Sequence, residues 1–182
     1  MLGHGSLEAE VLPRRIAALA QTGRRFVAVA VGDWHALALA EGGDLYGWGR
    51  GDANGHGQNE PTPLQVPAFV GQRVKLVCTS AISSCAGMEE GELFTWGSGG
   101  ECGQLGHGDG ERQQMPKWVE GLSRVKVASA ATSYTHTLVA DEDGVVWAFG
   151  DGPVFGLGDP DAAPQGRVWQ PTPIPTPRVR AR

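Results

Sequence analysis

The sequence has no apolar run long enough to cross a membrane, and residues 1–15 contain no apolar stretch of the kind that secretory leaders carry. It also has no cluster of lysine and arginine, and its formal net charge is −5. Domains that bind nucleic acid usually show a basic footprint. We therefore expect a soluble protein of the cytoplasm or nucleus that does not enter a membrane or bind nucleic acid directly.

Cysteine is scarce. Cys78, Cys85 and Cys102 are an odd number, and their spacing is not the CxxC type that indicates a metal site. Such a set is typical of inert thiols in a reducing compartment. We therefore expect no metal centre built on cysteine.

Aromatic residues make up only 7% of the chain, whereas glycine contributes 28 of 182 residues, about twice its usual share. Many of these glycines follow an aromatic residue in the pattern W/F-G-x-G-x-x-x-G, which occurs without gaps at residues 48–55, 96–103 and 149–156. The aromatic anchors are 48 and 53 residues apart. A recurrence of this period identifies a repeat protein. The anchor pairs are Trp48 and Gly49, Trp96 and Gly97, and Phe149 and Gly150.

The glycine pattern is not a phosphate-binding fingerprint. A dinucleotide-binding loop reads G-x-G-x-x-G and opens a helix, but here the third glycine comes one residue later and polar, proline-containing sequence follows. No G-x-S-x-G nucleophile motif is present. We therefore expect no cofactor, no catalytic residue and no enzymatic activity.

Each repeat contains four strand-like segments. A β-branched inner segment such as residues 26–32 comes first and is expected to be a buried inner strand, and a second strand such as residues 35–39 follows. The anchor strand is third. The fourth segment carries proline, as at residues 61–66, 116–119 and 171–174, and proline is confined to edge strands. Four-stranded units repeated about every 50 residues are the blades of a β-propeller.

The predicted fold is therefore all-β, with about three four-stranded blades that form an open arc rather than a closed ring. We place the blades at residues 25–72, 73–123 and 124–177, within one repeat domain. Residues 2–5 repeat the tetrapeptide at 105–108, so residues 1–24 read as the outer-strand remnant of a preceding blade. A helix over residues 14–21, ended by Gly23, is the alternative. Residues 178–182 are either a tail or the start of another blade.

The repeats resemble the regulator of chromosome condensation family. The resemblance rests on residues 28–32 (AVAVG) with His35, on residues 91–97 (GELFTWG), on residues 103–108 (GQLGHG) and on residues 116–119 (PKWV). It covers nearly the whole chain. Members of that family form closed seven-bladed propellers. This sequence differs from that pattern because it is long enough for only about three blades.

The histidines and tryptophans have structural and functional interpretations. His35 and His136 occupy equivalent repeat positions, which indicates a structural role at blade turns rather than a metal site. A plant ultraviolet receptor of the same family clusters tryptophans on one face, but here Trp118 and the anchor tryptophans are expected to pack between blades. Trp34, at a turn, and Trp169, in a loop, are the tryptophans expected to be available for contacts.

We expect a non-enzymatic protein–protein interaction module that binds a protein partner through its loops. The resemblance implies one alternative, a guanine nucleotide exchange factor for a small GTPase. Another alternative is the regulatory propeller of a larger ubiquitin ligase or kinase. Open blade edges also predict self-association. The candidate contact residues are Asp33, Trp34, Arg50, Asp52, Tyr134 and Trp169.

Overall fold

A computed structural model describes residues 2–151 and 166–174. It contains a short helix, α1 (Ala17–Gln21), and three four-stranded antiparallel sheets. The first blade is formed by β1 (Phe26–Val31), β2 (His35–Ala40), β3 (Leu45–Gly49) and β4 (Glu60–Gln65). The second is formed by β5 (Val74–Thr79), β6 (Ser83–Met88), β7 (Leu93–Gly97) and β8 (Gln113–Trp118). The third is formed by β9 (Val127–Thr132), β10 (His136–Asp141), β11 (Val146–Asp151) and β12 (Arg167–Pro173).

In each blade the strands pair in chain order from the inner to the outer strand. The outer strands β4, β8 and β12 carry the prolines, which a ladder tolerates only at an edge. None of the sheets closes on itself, so the prediction of an all-β, three-bladed open arc is confirmed. The predicted third-blade glycines at 152 and 156, and the tail at residues 178–182, lie outside the described residues.

Two apolar cores lie between the blades. Leu37 and Leu39 of blade 1 pack against Trp96 and Met88 of blade 2, with Phe69 from the connecting segment. The second core joins blades 2 and 3 in the same way and contains Cys85, Leu93, Val119, Leu122, Val127, Val139, Phe149 and Val168. Because each core is formed by the facing sheet surfaces of two neighbouring blades, packing fixes those blades relative to one another.

The sequence of the inner strand β1 led us to expect burial on both faces, but one face of this strand is exposed. Val27, Val29 and Val31 are exposed, Val29 by 70%, and they alternate with the partly buried positions between them. Val29 pairs with Ala38 and Val31 with Ala36, so these residues share the face of blade 1 that points away from blade 2. In the part of the chain that the structure describes, Ile16, Leu19 and Phe26 are partly buried on that face beside the anchor Trp48.

The segment before β1 forms a helix rather than a strand. No residue from 2 to 24 is in a strand, and α1 lies within the alternative predicted at residues 14–21. Gly23 follows the helix with a positive φ of 66°, the conformation that ends helices. Residues 6–15 pair with no strand among the described residues, although the Gly5 N–H donates to the Pro61 carbonyl of β4 over 3.1 Å.

Cys78 and Cys85 are joined by a disulfide, which corrects the expectation of inert thiols. They are directly opposite in the β5–β6 ladder, with their Cα atoms 5.1 Å apart. Cys85 occupies the position that Leu37 holds in blade 1 and faces the core between blades 2 and 3. The disulfide therefore replaces a leucine contact of the first blade. Cys102 is the free thiol.

The loops after the anchor strands correct one alignment made from the sequence. The glycine pattern pairs Gly55 with Gly103. In the structure, Gly55 lies against Trp96 of the next blade, and the residue in that place on blade 2 is Gly106, against Phe149. Between the third strand and this glycine, the loop of blade 2 is three residues longer than that of blade 1, and this stretch contains the 3-10 turn Gly99–Cys102.

Candidate protein-interaction face

One end of the strands carries most of the candidate contact residues. The first hairpin turn of each blade and the start of the loop after its third strand meet there, and we call this end the turn face. In every blade the same backbone bond joins the two, which makes the turns rigid. These bonds run from Arg50 N to Trp34 O (2.8 Å), from Ser98 N to Ile82 O (3.0 Å), and from Asp151 N to Thr135 O (2.9 Å).

On blade 1, the structure brings together Trp34, Arg50 and Asp52 around a shallow cleft that also contacts blade 2. Trp34 is 59% exposed. The Arg50 guanidinium lies 2.8 Å from the Asp52 carboxylate, which also accepts a hydrogen bond from the Ser98 hydroxyl of blade 2. These contacts present an aromatic ring beside an oriented ion pair.

Asp33 precedes Trp34 in the same turn and is exposed. Its backbone N–H donates to the carbonyl of Ala81 on blade 2 over 3.1 Å. The turn of blade 1 is therefore bonded to its neighbour, and Trp34 projects from a fixed backbone.

Tyr134 lies at the position of Asp33 in the third blade and is 62% exposed. Its carbonyl accepts a hydrogen bond of 3.0 Å from the Gln104 side chain of blade 2. The structure does not bring Tyr134 next to Trp34, because the turn of blade 2, with Ala81 and Ile82, lies between the two. The turn face thus carries two separate aromatic side chains.

Trp169 lies in the edge strand β12, not in a loop as the sequence suggested. Its ring lies close to Gly103 and Gly110 of blade 2, and the Arg167 guanidinium is 5.7 Å from the ring centre. It is therefore only partly exposed. Trp118, expected to be packed between blades, is 37% exposed.

His35 lies in a buried hydrogen-bonded chain between blades. The Ser84 hydroxyl donates to Ala53 O over 2.8 Å, so it accepts from His35 Nε2–H, also at 2.8 Å. Burial lowers the pKa of His35 to about 4, against a smaller opposing effect of Asp52 and Asp33. A neutral imidazole at 3% exposure, bonded through Nε2 to Ser84, joins the two blades.

His107 is also held in its neutral form. Its Nε2 lies 3.0 Å from the Thr95 hydroxyl, which donates to Leu105 O, so the ring donates to the hydroxyl. Burial, assisted by Lys117, lowers the pKa of His107 to about 4. On blade 3, His136 Nδ1 lies 2.7 Å from the Ser133 hydroxyl.

Within residues 2–151 and 166–174 no three histidine, cysteine or acidic side chains gather as metal ligands. In the same residues no helix is long and apolar enough to cross a membrane. The described site is therefore a polar and aromatic surface on a packed scaffold.

Sequence comparison agrees with this architecture. The family model described as the Regulator of chromosome condensation (RCC1) repeat matches residues 1–39 and 90–140, and a second model of the same repeat matches residues 26–58. The chain belongs to the RCC1 repeat family. RCC1 repeats form a non-catalytic propeller domain that also occurs within ligases.

The curated relatives include two proteins of different function. The human E3 ubiquitin-protein ligase HERC2 is 40% identical over 135 residues, which are 68% of this chain and 3% of HERC2. The Arabidopsis thaliana ultraviolet-B receptor UVR8 is 33% identical over 153 residues, or 82% of this chain and 34% of the receptor. The chain thus spans about a third or less of each of these relatives.

Among solved structures, yeast RCC1 (Prp20) bound to Kap60 superposes with a TM-score of 0.72 at 25% identity, covering 93% of this chain and 41% of that one. A second structure of Prp20p, from Saccharomyces cerevisiae, superposes with a TM-score of 0.70 at 24% identity over 93% of this chain and 42% of that one. Prp20p binds Gsp1p and histones. The yeast RCC1 propeller is therefore one that binds other proteins.

Proposed function

We propose that this chain is a non-enzymatic interaction module that binds a protein partner through the turn face, in the cytoplasm or nucleus. The observation that carries the proposal is the exposure of two large aromatic side chains, Trp34 (59%) and Tyr134 (62%), on bonded turns. Tryptophan, tyrosine and arginine are enriched among the residues that dominate binding energy at interfaces. A rigid turn presents them with little loss of conformational entropy on binding.

The charged residues beside Trp34 suit the rim of such an interface. Arg50 and Asp52 form an ion pair whose carboxylate is oriented by Ser98, and Asp33 is exposed next to it. Rim charges of this kind set the orientation and association rate of a partner more than its affinity. Trp34 is therefore expected to supply affinity, and the charged residues are expected to supply selectivity.

The similarity to HERC2 favours a second candidate, the regulatory propeller portion of a larger ubiquitin ligase. In that case the turn face would recruit a substrate or regulator, and the catalytic chemistry would reside elsewhere in the larger protein. Guanine nucleotide exchange on a small GTPase is the remaining alternative. It predicts that the chain accelerates nucleotide release from a GDP-loaded small GTPase, whereas the interaction-module proposal predicts no acceleration.

We also propose that the exposed face of blade 1 supports self-association. Val27, Val29 and Val31 form an apolar stripe on a sheet face that, in blades 2 and 3, is covered by the preceding blade. Apolar sheet faces of this kind promote association.

The test compares the double variant Trp34→Ala/Tyr134→Ala with a matched control, Leu64→Ala/Val70→Ala. Leu64 and Val70 are also exposed, by 45% and 62%, but lie away from the turn face. A partner isolated by affinity capture is purified, and its affinity for each variant is measured by calorimetry. We expect the turn-face variant to lose about tenfold or more in affinity and the control less than about twofold. Equal affinity for both variants would contradict the proposal.

A further inference from the structure

A second surface lies at the end of the strands opposite the turn face. It is a groove of about 530 Å³ between the segment joining blades 1 and 2 and the second hairpin turn of blade 2. We call it the blade 2 groove. Its principal lining residues are Gln72, Met88, Glu89, Glu92, Phe94 and Trp118.

The equivalent position on blade 1 is occupied by an arginine of the chain itself. Arg24, two residues before β1, forms an ion pair with Asp44, the residue just before β3. Gln65 on the outer strand donates to the same carboxylate over 2.7 Å. Arg25 pairs in addition with Glu41 over 3.3 Å. The acidic turn of blade 1 is thus neutralised from within.

Blade 2 keeps the acid and lacks the arginine. Gln72, two residues before β5, stands in the place of Arg24, and Glu92, just before β7, stands in the place of Asp44. Trp118 replaces Gln65, since it pairs with Phe94 as Gln65 pairs with Tyr46. In the parts of the chain that the structure describes, Glu92 has no ion pair.

The other charges of the groove do not cancel this carboxylate. Glu89 and Glu90 also line it and are exposed, and neither forms an ion pair within the described ranges. Arg73 is the one cation among the lining residues, against three carboxylates. The groove therefore carries an excess of negative charge that a cation from outside can neutralise.

The floor of the groove is apolar. Met88 is buried, Phe94 is half-buried against Phe69 with ring centres 5.3 Å apart, and Trp118 exposes 37% of its surface. Arginine and lysine bury their aliphatic stems on such surfaces and direct their charged ends to polar groups. A guanidinium also interacts favourably with the face of a tryptophan ring.

We propose that the blade 2 groove binds an arginine- or lysine-bearing segment of a partner protein, with its cation at Glu92 and its stem on Phe94 and Trp118. The incoming side chain takes the position that Arg24 takes on blade 1. This site rests on the proposed function only in that its occupant is a protein. It lies on the opposite end of the strands from Trp34, so the two surfaces can be tested separately.

The experiment titrates the full chain, labelled with ¹⁵N, with the peptide acetyl-Gly-Arg-Gly-amide and follows the indole resonance of Trp118. The neutral counterpart with citrulline in place of arginine is titrated in parallel. We expect a saturable shift with the arginine peptide and a shift at least fivefold smaller with citrulline. Equal shifts for the two peptides, or no shift with either, would overturn the proposal.

Four variants locate the binding site. Glu92→Gln should weaken arginine-peptide binding about tenfold, whereas Glu111→Gln, the same change at an exposed position outside the groove, should leave it unchanged. Gln72→Arg recreates the blade 1 pair inside the groove and should abolish binding in a folded protein. Trp34→Ala should have no effect, so a failure of the turn-face proposal leaves this one intact. Unweakened binding by Glu92→Gln would overturn the assignment.

Discussion

The indole Nε1–H of Trp96 donates to the carbonyl oxygen of Ala53 over 2.8 Å. Trp96 is the anchor of blade 2, and Ala53 lies in the loop of blade 1, so the bond joins two blades. The same oxygen accepts from the Ser84 hydroxyl at 2.8 Å. A related contact occurs at each anchor, where a loop glycine from the preceding segment approaches the aromatic ring. The pairs are Gly3 with Trp48, Gly55 with Trp96, and Gly106 with Phe149.

Replacing the anchor of blade 2 should strongly destabilise the chain. Trp96 is fully buried in the core between blades 1 and 2. We expect Trp96→Ala to lower the free energy of unfolding by about 3–5 kcal/mol, because it removes a large buried ring and leaves a cavity. Urea denaturation measures this change. A loss below about 1 kcal/mol would show that Trp96 does not anchor the blades.

Trp96→Phe separates the hydrogen bond from the packing. It keeps an aromatic ring but leaves the Ala53 carbonyl with Ser84 as its one side-chain donor. We expect a smaller loss than for alanine, because the Ala53 carbonyl keeps a partner and much of the ring volume remains. An equal loss for the two variants would mean that the hydrogen bond and not the ring volume dominates.

The strands and their order could be predicted from the sequence, because alternating apolar residues and edge prolines are local signals. The alignment of loops could not. Blade 2 contains the additional turn Gly99–Cys102, and only the contact of Gly106 with Phe149 identifies the equivalent glycine. The aromatic anchors were recognisable because an aromatic residue followed by glycine recurs in each repeat.

Features that depend on register escaped the sequence-based predictions. Cys78 and Cys85 are opposite each other in the β5–β6 ladder. Aligning the two predicted strands as a hairpin would have revealed this pairing, but the spacing of the cysteines alone does not. The blade 2 groove depends on a comparison of Gln72 with Arg24, whose roles differ only through the ion pair to Asp44. Such relationships become visible when repeats are superposed in space.

Because of His35, the free energy of unfolding should decrease as the pH is lowered below about 6.5. Burial lowers its folded pKa to about 4 from the ordinary value of 6.5, so the unfolded chain takes up a proton that the folded chain does not. Above pH 6.5 the ring is neutral in both states. As the pH falls from 6.5 to 4, the free energy of unfolding should decrease by roughly 1 kcal/mol per pH unit from this residue.

The control for this pH dependence is His35→Gln, measured by urea denaturation at pH 7.5 and pH 5. The glutamine amide can donate to Ser84 and does not titrate. The difference in stability between the two pH values should shrink in the variant but remain finite, because His107 titrates in the same direction. An unchanged pH dependence would contradict the buried, neutral state of His35.

Reduction of the disulfide should destabilise blade 2 and its contact with blade 3. Cys78 and Cys85 are seven residues apart, and cross-links of short loops typically contribute about 2–3 kcal/mol. We expect a reducing agent to lower the melting temperature of the wild-type chain. Cys102→Ser should respond to reduction as the wild type does, since Cys102 is free. Identical melting temperatures in the oxidised and reduced chains would argue against the cross-link.

Association at high concentration should depend on the exposed valines of blade 1. Val29→Lys places a charge in the centre of the stripe formed with Val27 and Val31, so it should reduce the average mass measured by light scattering at high concentration. Val70→Lys is the matched control, because Val70 is similarly exposed but lies outside the stripe. Equal association of both variants would place the contact elsewhere.

Small-angle scattering of the dilute chain, with its mass from light scattering, tests most directly whether three interlocked blades form one open arc. We predict a mass of 19.2 kDa and a single elongated, curved particle whose profile matches the arrangement of the three sheets. A closed ring built from several copies at the lowest concentrations, or a profile of blades that move independently, would contradict this structure.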